Sequence, residues 1–261
     1  MKEEVSASYL DTVKRNFGNE AKVPAPADRT ALVVGTDRRG SIGQSVVDEL
    51  ANAEFKAVWA PPRGDFDVTR PGQMKQWLYE HDLIDTLVLC HGVTHLAWFE
   101  DQLIEDITSQ VDVNLTGTML AIKAFVDRTY SFRHVRKQIV VVGSMAHRNV
   151  LNASAPYCAS KAGVAHLIRC LGWELTPKGY FIWGVHPSNV EGTPMAEDTI
   201  RGIMDYRDLD RAGAEAYWGA VNVMPRWLRA PDVAGTIANL VTQPTARWQS
   251  GTNIELTAGQ R

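Results

Sequence analysis

A tyrosine and a lysine four residues apart, Tyr157 and Lys161, stand thirteen residues beyond a serine, Ser144. On a helix this spacing puts the phenol and the ammonium on one face, about a turn apart. A free tyrosine titrates near pH 10, and a neighbouring cation favours the phenolate. The pair therefore predicts a lowered Tyr157 pKa and an acid–base group suited to proton transfer near neutral pH. Ser144 follows the apolar run 139–142, and its hydroxyl there is suited to holding a carbonyl or alcohol oxygen against the phenol. Taken alone, Tyr-x-x-x-Lys is a weak signal, because many helix starts carry such a pair for packing and solvation. Its meaning depends on the elements around it.

From Thr30 onward short β-branched runs alternate with helical segments, the pattern of βαβ units around a parallel sheet. Strands are expected at 31–34, 57–59, 66–68, 86–89, 138–142, 181–185 and 253–256. Helices are expected near 42–53, 71–81, 103–130, 155–175 and 231–242. Right-handed crossovers turn this order into an α/β fold with a doubly wound parallel sheet in a single domain, 30–261. Residues 1–29 read as an appendage: Val5, Tyr9, Leu10, Val13 and Phe17 recur at helical spacing, and a polar linker runs from Gly18 to Arg29. Residues 188–228 are irregular and rich in methionine and aromatics. They read either as a lid over a substrate or as a helical pair with a small core of its own.

Composition narrows the partners. A net charge of −3 over 261 residues gives no general attraction to nucleic acid or to an anionic membrane. No apolar run is long enough to span a bilayer, and the amino terminus lacks the apolar stretch of a secretory signal. Cys90, Cys158 and Cys170 are odd in number and show no Cys-x-x-Cys spacing. Reduced thiols and a cytoplasmic location are the expectation.

The first strand runs into Gly35-Thr-Asp-Arg38-Arg39-Gly40-Ser41-Ile42-Gly43, with a helix following. Glycines at a strand–helix junction let the backbone approach a pyrophosphate at the helix N-terminus. The spacing departs from Gly-x-Gly-x-x-Gly, but the position is that of a dinucleotide loop. In NAD-binding sheets an acid near the end of the second strand meets the ribose; here no acid appears before Asp65. Arg38, Arg39 and Arg63 are instead placed to meet a 2′-phosphate through bidentate contacts. NADP(H) is therefore favoured, with NAD(H) as the alternative.

With these motifs in order, the chain from Thr30 onward resembles the short-chain dehydrogenase/reductase family, and so a Rossmann-like fold. Asp67-Val68 is similar to the family's Asp-Val pair, Asn114 within Val113-Asn114-Leu115 to its helix asparagine, and Ser144, Tyr157 and Lys161 to its catalytic set. Ser250 to Gly259 resembles its last strand and glycine ending. The resemblance implies that Tyr157 donates or takes the substrate proton and Ser144 orients the substrate oxygen. Lys161 would lower the tyrosine pKa and bind the nicotinamide ribose, and Asn114 would hold a water in a proton relay. It places Gly35, Arg38, Arg39, Ser41, Ile42, Gly43, Arg63, Asp67, Val68, Gly92, Pro187, Val190 and Thr193, with Tyr157 and Lys161, around the cofactor. It implies interconversion of a small carbonyl compound and its alcohol, and a homo-tetramer or dimer.

Departures from the family pattern keep two alternatives open. Ser41-Ile42 looks closer to the enoyl reductases, which act on carbon–carbon double bonds. Leu89-Cys90-His91-Gly92 and Pro187-Ser188 are altered, as in a dinucleotide-binding scaffold without turnover. The connection between 59 and 66 also leaves no room for the family's usual helix.

Other constellations carry less. His91 and His95 lie four apart beside Cys90, but Gly92 and the strand-end position argue against one helix face presenting both rings, and no third ligand is evident, so no metal is expected. An esterase would need Gly-x-Ser-x-Gly, whereas Val142 and Ala146 flank Ser144 at those positions. The basic cluster Arg133-His134-Val135-Arg136-Lys137 reads as a solvated turn.

Overall fold

The computed structural model describes residues 25–259, apart from 133–134, 221–223 and 225. The expected amphipathic segment at 4–17 lies outside the described residues. Six parallel strands form one sheet in the order β2-β1-β3-β4-β5-β8: β1 (Thr30–Val34), β2 (Ala57–Trp59), β3 (Thr86–Leu89), β4 (Lys137–Val142), β5 (Tyr180–Pro187) and β8 (Thr252–Leu256). β6 (Val190–Glu191) and β7 (Leu228–Arg229) pair as a two-residue parallel ribbon.

Alternate residues of each strand face opposite sides, and helices cover both, which is why the strands read as unbroken apolar runs. Leu32, Val34, Leu87, Leu89, Ile139 and Val141 pack under α2 (Pro71–Glu80), α4 (Gly117–Thr129) and α5 (Ala155–Leu175). Ala31, Val33, Val88, Val140, Val142 and Val185 pack under α1 (Ile42–Asn52) and α8 (Ala230–Thr242). A separate small core of Ile200, Ile203 and Ala214 joins α6 (Pro194–Arg207) to α7 (Arg211–Gly219). Residues 188–228 thus contain a helical pair with its own core, the second of the two readings.

Four expectations are corrected. No strand forms at 66–68. A parallel neighbour of β2 needs a crossover of roughly a dozen residues or more, and only six, including Pro61 and Pro62, separate Trp59 from Phe66. Phe66 and Val68 still point into the core, while Asp67 folds back on the chain: its Oδ1 accepts the Thr69 amide (2.9 Å) and hydroxyl (2.7 Å). The helix expected over 103–130 is broken into α3 (Ile104–Val111), a π turn at Asp112–Thr116, and α4. Lastly, Arg29 belongs to the body and not to a linker. It is buried, with Nε 3.2 Å from Asp85 Oδ1 and its guanidinium bonded to Thr86, Gln138 and the Val241 carbonyl. Lys137, expected in a solvated turn, is likewise buried as the first residue of β4.

β1 lies between β2 and β3, so the chain leaves it in opposite directions to its two neighbours. The carboxyl ends at such a switch point frame the crevice where open α/β sheets take ligands. The segments that begin at Gly35, Cys90, Gly143 and Ser188 all leave the sheet on that side.

Candidate active site

A cavity of about 530 Å³ opens at this edge. Its lining brings together Arg38, Ser41, Ile42, Gly92, Ser144, Tyr157, Lys161, Pro187, Val190 and Thr193, drawn from five separate segments of chain. Ser41 caps α1, its hydroxyl accepting the Gln44 amide (3.2 Å), and so points the free amides of that helix toward the crevice. Gly35 adopts φ +90°, and a side chain there would strike the His91 amide nitrogen at 2.5 Å.

The remaining expected residues stand off the lining. Gly43 packs against the Gly35 carbonyl. Arg63 pairs with Asp67 (3.1 Å), and its amide donates to Asp37 (2.7 Å). Burial pushes the Asp67 carboxyl up, but the Thr69 hydroxyl and amide and the Arg63 guanidinium outweigh it and hold the pKa below its ordinary value. Val68 sits in the core against Gly117. Arg39 is exposed. Arg38 bonds to Asp198 of α6 and so bridges the cavity mouth.

Tyr157 and Lys161 project from the first turns of α5, which starts with Pro156 where a missing amide costs nothing. The phenol hydroxyl lies 4.0 Å from Met195 Sδ, Ser144 shares the cavity lining with it, and Lys161 Nζ stands 5.6 Å from the tyrosine ring centre. The lowered Tyr157 pKa expected from spacing is overturned. Burial pushes the phenol up to about 12 against the pull of the Ser144 hydroxyl. Burial also pushes Lys161 down to about 8. Desolvation decides both shifts, and the tyrosine is a neutral, proton-bearing phenol at pH 7.

Asn114 sits in the π turn, a distortion that often marks a functional position. Its side chain accepts the Val93 amide (2.8 Å) and donates to the Val93 carbonyl (2.9 Å) and to Ser160 Oγ (3.1 Å). It thereby clamps the Gly92–Val93 turn beside Lys161.

Sequence reasoning missed the support beneath Ser144. Asn253 Nδ2 donates to the Ala165 carbonyl (2.9 Å), which leaves its Oδ1 to accept from His186 Nε2 (2.8 Å). His186 Nδ1 stands 3.3 Å from the Ser144 amide and 3.2 Å from the Ser144 carbonyl; with Nε2 donating to Asn253, Nδ1 is the acceptor and takes the amide. The Ser144 carbonyl is met by His147 Nδ1 (2.9 Å), whose Nε2 faces Glu255 (3.3 Å). Two imidazoles thus hold the serine by its main chain. Burial drives His186 down to about 4 against the Asn253 hydrogen bond. One signal was readable: Gly143 precedes the serine, and a Cβ there would lie 2.3 Å from the His186 ring.

The profile of the short chain dehydrogenases matches residues 21–202. The chain belongs to the short-chain dehydrogenase/reductase family. The 3-oxoacyl-(acyl-carrier-protein) reductase of Synechocystis sp. is 27% identical over 248 residues, 94% of this chain and 92% of that protein. The 3-alpha-(or 20-beta)-hydroxysteroid dehydrogenase of Mycobacterium tuberculosis is 30% identical over 174 residues, 64% of this chain and 62% of that protein. Among solved structures, an actinorhodin polyketide ketoreductase with NADPH gives a TM-score of 0.77 at 22% identity, over 89% of this chain and 97% of that one. That last likeness concerns the fold. As a short-chain dehydrogenase/reductase, the chain is an oxidoreductase of the CH–OH/C=O type, acts on small molecules and uses a nicotinamide dinucleotide.

The site fits such a cofactor. His91 Nδ1 and Ser188 Oγ are buried without a hydrogen-bond partner among the described residues, and both residues line the cavity. Gly92 completes the cradle: a Cβ there would lie 3.4 Å from Lys161 Nζ and 3.3 Å from Asn114 Oδ1. The His91 ring is neutral, since burial pushes its pKa down to about 3. No cluster of three or more His, Cys, Asp or Glu suited to a metal occurs among the described residues, and none of their helices is long and apolar enough to cross a membrane.

Proposed function

We propose that this enzyme is an NADP(H)-dependent carbonyl reductase that interconverts a ketone or aldehyde and its alcohol, with Tyr157 as the general acid/base. The observation that carries the reading is the meeting of Ser144, Tyr157 and Lys161 in the lining of one cavity, with Lys161 Nζ 5.6 Å from the Tyr157 ring centre. A carbonyl oxygen placed between the serine and tyrosine hydroxyls is oriented by Ser144 and receives its proton from Tyr157. A phenol with a raised pKa holds that proton at pH 7, which suits the reductive direction. The bound dinucleotide supplies the hydride. Lys161 stabilises negative charge at the phenol oxygen and meets the sugar hydroxyls of the cofactor, while Asn114 keeps the Gly92–Val93 turn in place beside it.

The preference for NADP(H) is supported by Arg38 and Arg39, which lie in the loop after β1, and by Arg63 after β2, where no acid stands to receive a ribose hydroxyl. Asp37, in the loop after β1, has its Oδ1 taken by the Arg63 amide. Calorimetric titration with NADPH and NADH tests this: NADPH binds more tightly, and Arg39→Ala narrows the difference. Tyr157→Phe retains NADPH binding and loses turnover by roughly 10²–10⁴-fold. A Tyr157→Phe enzyme that still reduced carbonyl substrates would overturn the assignment.

A further inference from the structure

Beyond Ser144 and Tyr157 the cavity continues under α6 and α7. That part is walled by Leu96, Met145, Leu151, Met195, Ile203 and Trp218. Its polar groups are uncharged: Asn152 donates to the Tyr217 hydroxyl (2.9 Å), and Tyr206 stands edge-on to Trp98 at 5.5 Å. The charged groups and the histidines of the lining are all engaged elsewhere. Arg38 and Asp198 pair with each other at the mouth. Lys161 lies at the Tyr157 face, with Nζ 3.4 Å from the Val142 carbonyl. His95 faces Asp106 (3.6 Å), and His91 bonds Thr118 (3.2 Å). The guanidinium nearest this end, Arg207, lies outside the lining, stacked 4.0 Å from the Tyr217 ring centre and bonded to its hydroxyl (3.0 Å). Asn189 ties the end of α7 down through the Trp218 carbonyl (2.5 Å), which fixes the aromatic roof.

A carboxylate or phosphate buried among these residues would lose its hydration and gain no counter-charge. An apolar, ring-bearing body would bury its surface against methionine, leucine and tryptophan, with neutral hydroxyl and amide groups to meet at most a second oxygen. The cavity of about 530 Å³ also has to admit the reactive end of the dinucleotide, so the substrate body is compact. We infer that the enzyme selects neutral, compact, ring-bearing ketones and discriminates against anionic ones, such as oxo acids and the phosphate-bearing acyl thioesters. The inference rests on the proposed reductase reading, because it takes the space beside Tyr157 as the substrate site.

The test separates binding from turnover. In the full-length enzyme with NADPH, 1-tetralone should be reduced with kcat/KM at least 100-fold above that for acetoacetyl-CoA. In calorimetry with NADP+ present, neutral 1-tetralol should bind at least tenfold more tightly than 1-naphthoate, an anion of similar size. Leu151→Arg, a change at a partly exposed lining position, should raise naphthoate affinity about tenfold by supplying the missing cation. Selective binding of the neutral probe without reduction of any ketone would keep the inference and sink the reductase reading. Preferential reduction of anionic ketones would keep the reductase reading and overturn the inference. Equal binding of both probes, or of neither, would also overturn it.

Discussion

At the floor of the cavity Ser144, Tyr157 and Lys161 rest on buried partners, whereas at its mouth Arg38 and Asp198 meet in solvent with side chains 56% and 37% exposed. The floor is held by main-chain and imidazole hydrogen bonds in a region of low dielectric, where each bond is strong and each loss leaves an unpaired group. The mouth is held by ion pairs of the kind that contribute about 0–1 kcal/mol and weaken with salt. Arg211 with Glu197 and Arg229 with Glu191 extend that arrangement around the roof. The reacting groups thus sit on rigid body elements, and the residues that must admit and release ligands are fastened by contacts that exchange readily.

Lys161→Met breaks the floor most severely. It removes the cation beside the phenol, and turnover should fall by at least roughly 10²-fold. The variant should nevertheless melt no lower than the parent, because burial already works against the Lys161 charge; steady-state kinetics and a melting curve check the two halves. His186→Ala comes next. It leaves the Ser144 amide and the Asn253 Oδ1 unpaired around a void, which should cost about 2–4 kcal/mol and lower Tm by roughly 2–4 °C for each kcal/mol. His186→Gln should restore part of both kcat and stability.

The same histidine gives the floor a pH signature. Its folded pKa, about 4, is depressed below the ordinary 6.5, so its stabilising contribution is complete above pH 6.5 and is lost as pH falls toward 4. The slope should approach roughly 1.4 kcal/mol per pH unit for this one proton, and it should disappear in His186→Gln when denaturant midpoints are compared across that range. The mouth should respond least. Asp198→Ala should change stability by less than about 1 kcal/mol and alter the apparent affinity for NADPH only a few-fold, with a reduced dependence on salt. A destabilisation comparable to that of His186→Ala would erase the contrast between the two regions.

Much of the floor was legible in the sequence because its parts are local or lie at strand ends. Tyr157 and Lys161 share one helical turn, and Ser144 follows an apolar run that could only be a buried strand. The supports were not legible, since His186 meets Asn253 across 67 positions and Arg38 meets Asp198 across 160. The misread strand at 66–68 had the right alternation, apolar–acid–apolar, but alternation reports which side chains point inward and not whether a neighbour is available to pair with. The raised Tyr157 pKa was missed for a related reason: spacing reveals a cation's proximity but not how much water the fold removes.

The six-residue hop from Trp59 to Phe66 has a consequence at the rim of the sheet. Because it forgoes a further strand, β2 is left as the outermost ribbon on that side, and it is only three residues long. Pro61 and Pro62 follow one residue on and cannot donate to another backbone, while Trp59 turns onto Trp77 and His81 with ring centres 6.1 and 4.8 Å away. So short and proline-bounded an edge offers almost no template for a foreign strand. By ending the sheet early the chain closes off a route to self-association through β-pairing, and lengthening this connection would reopen it.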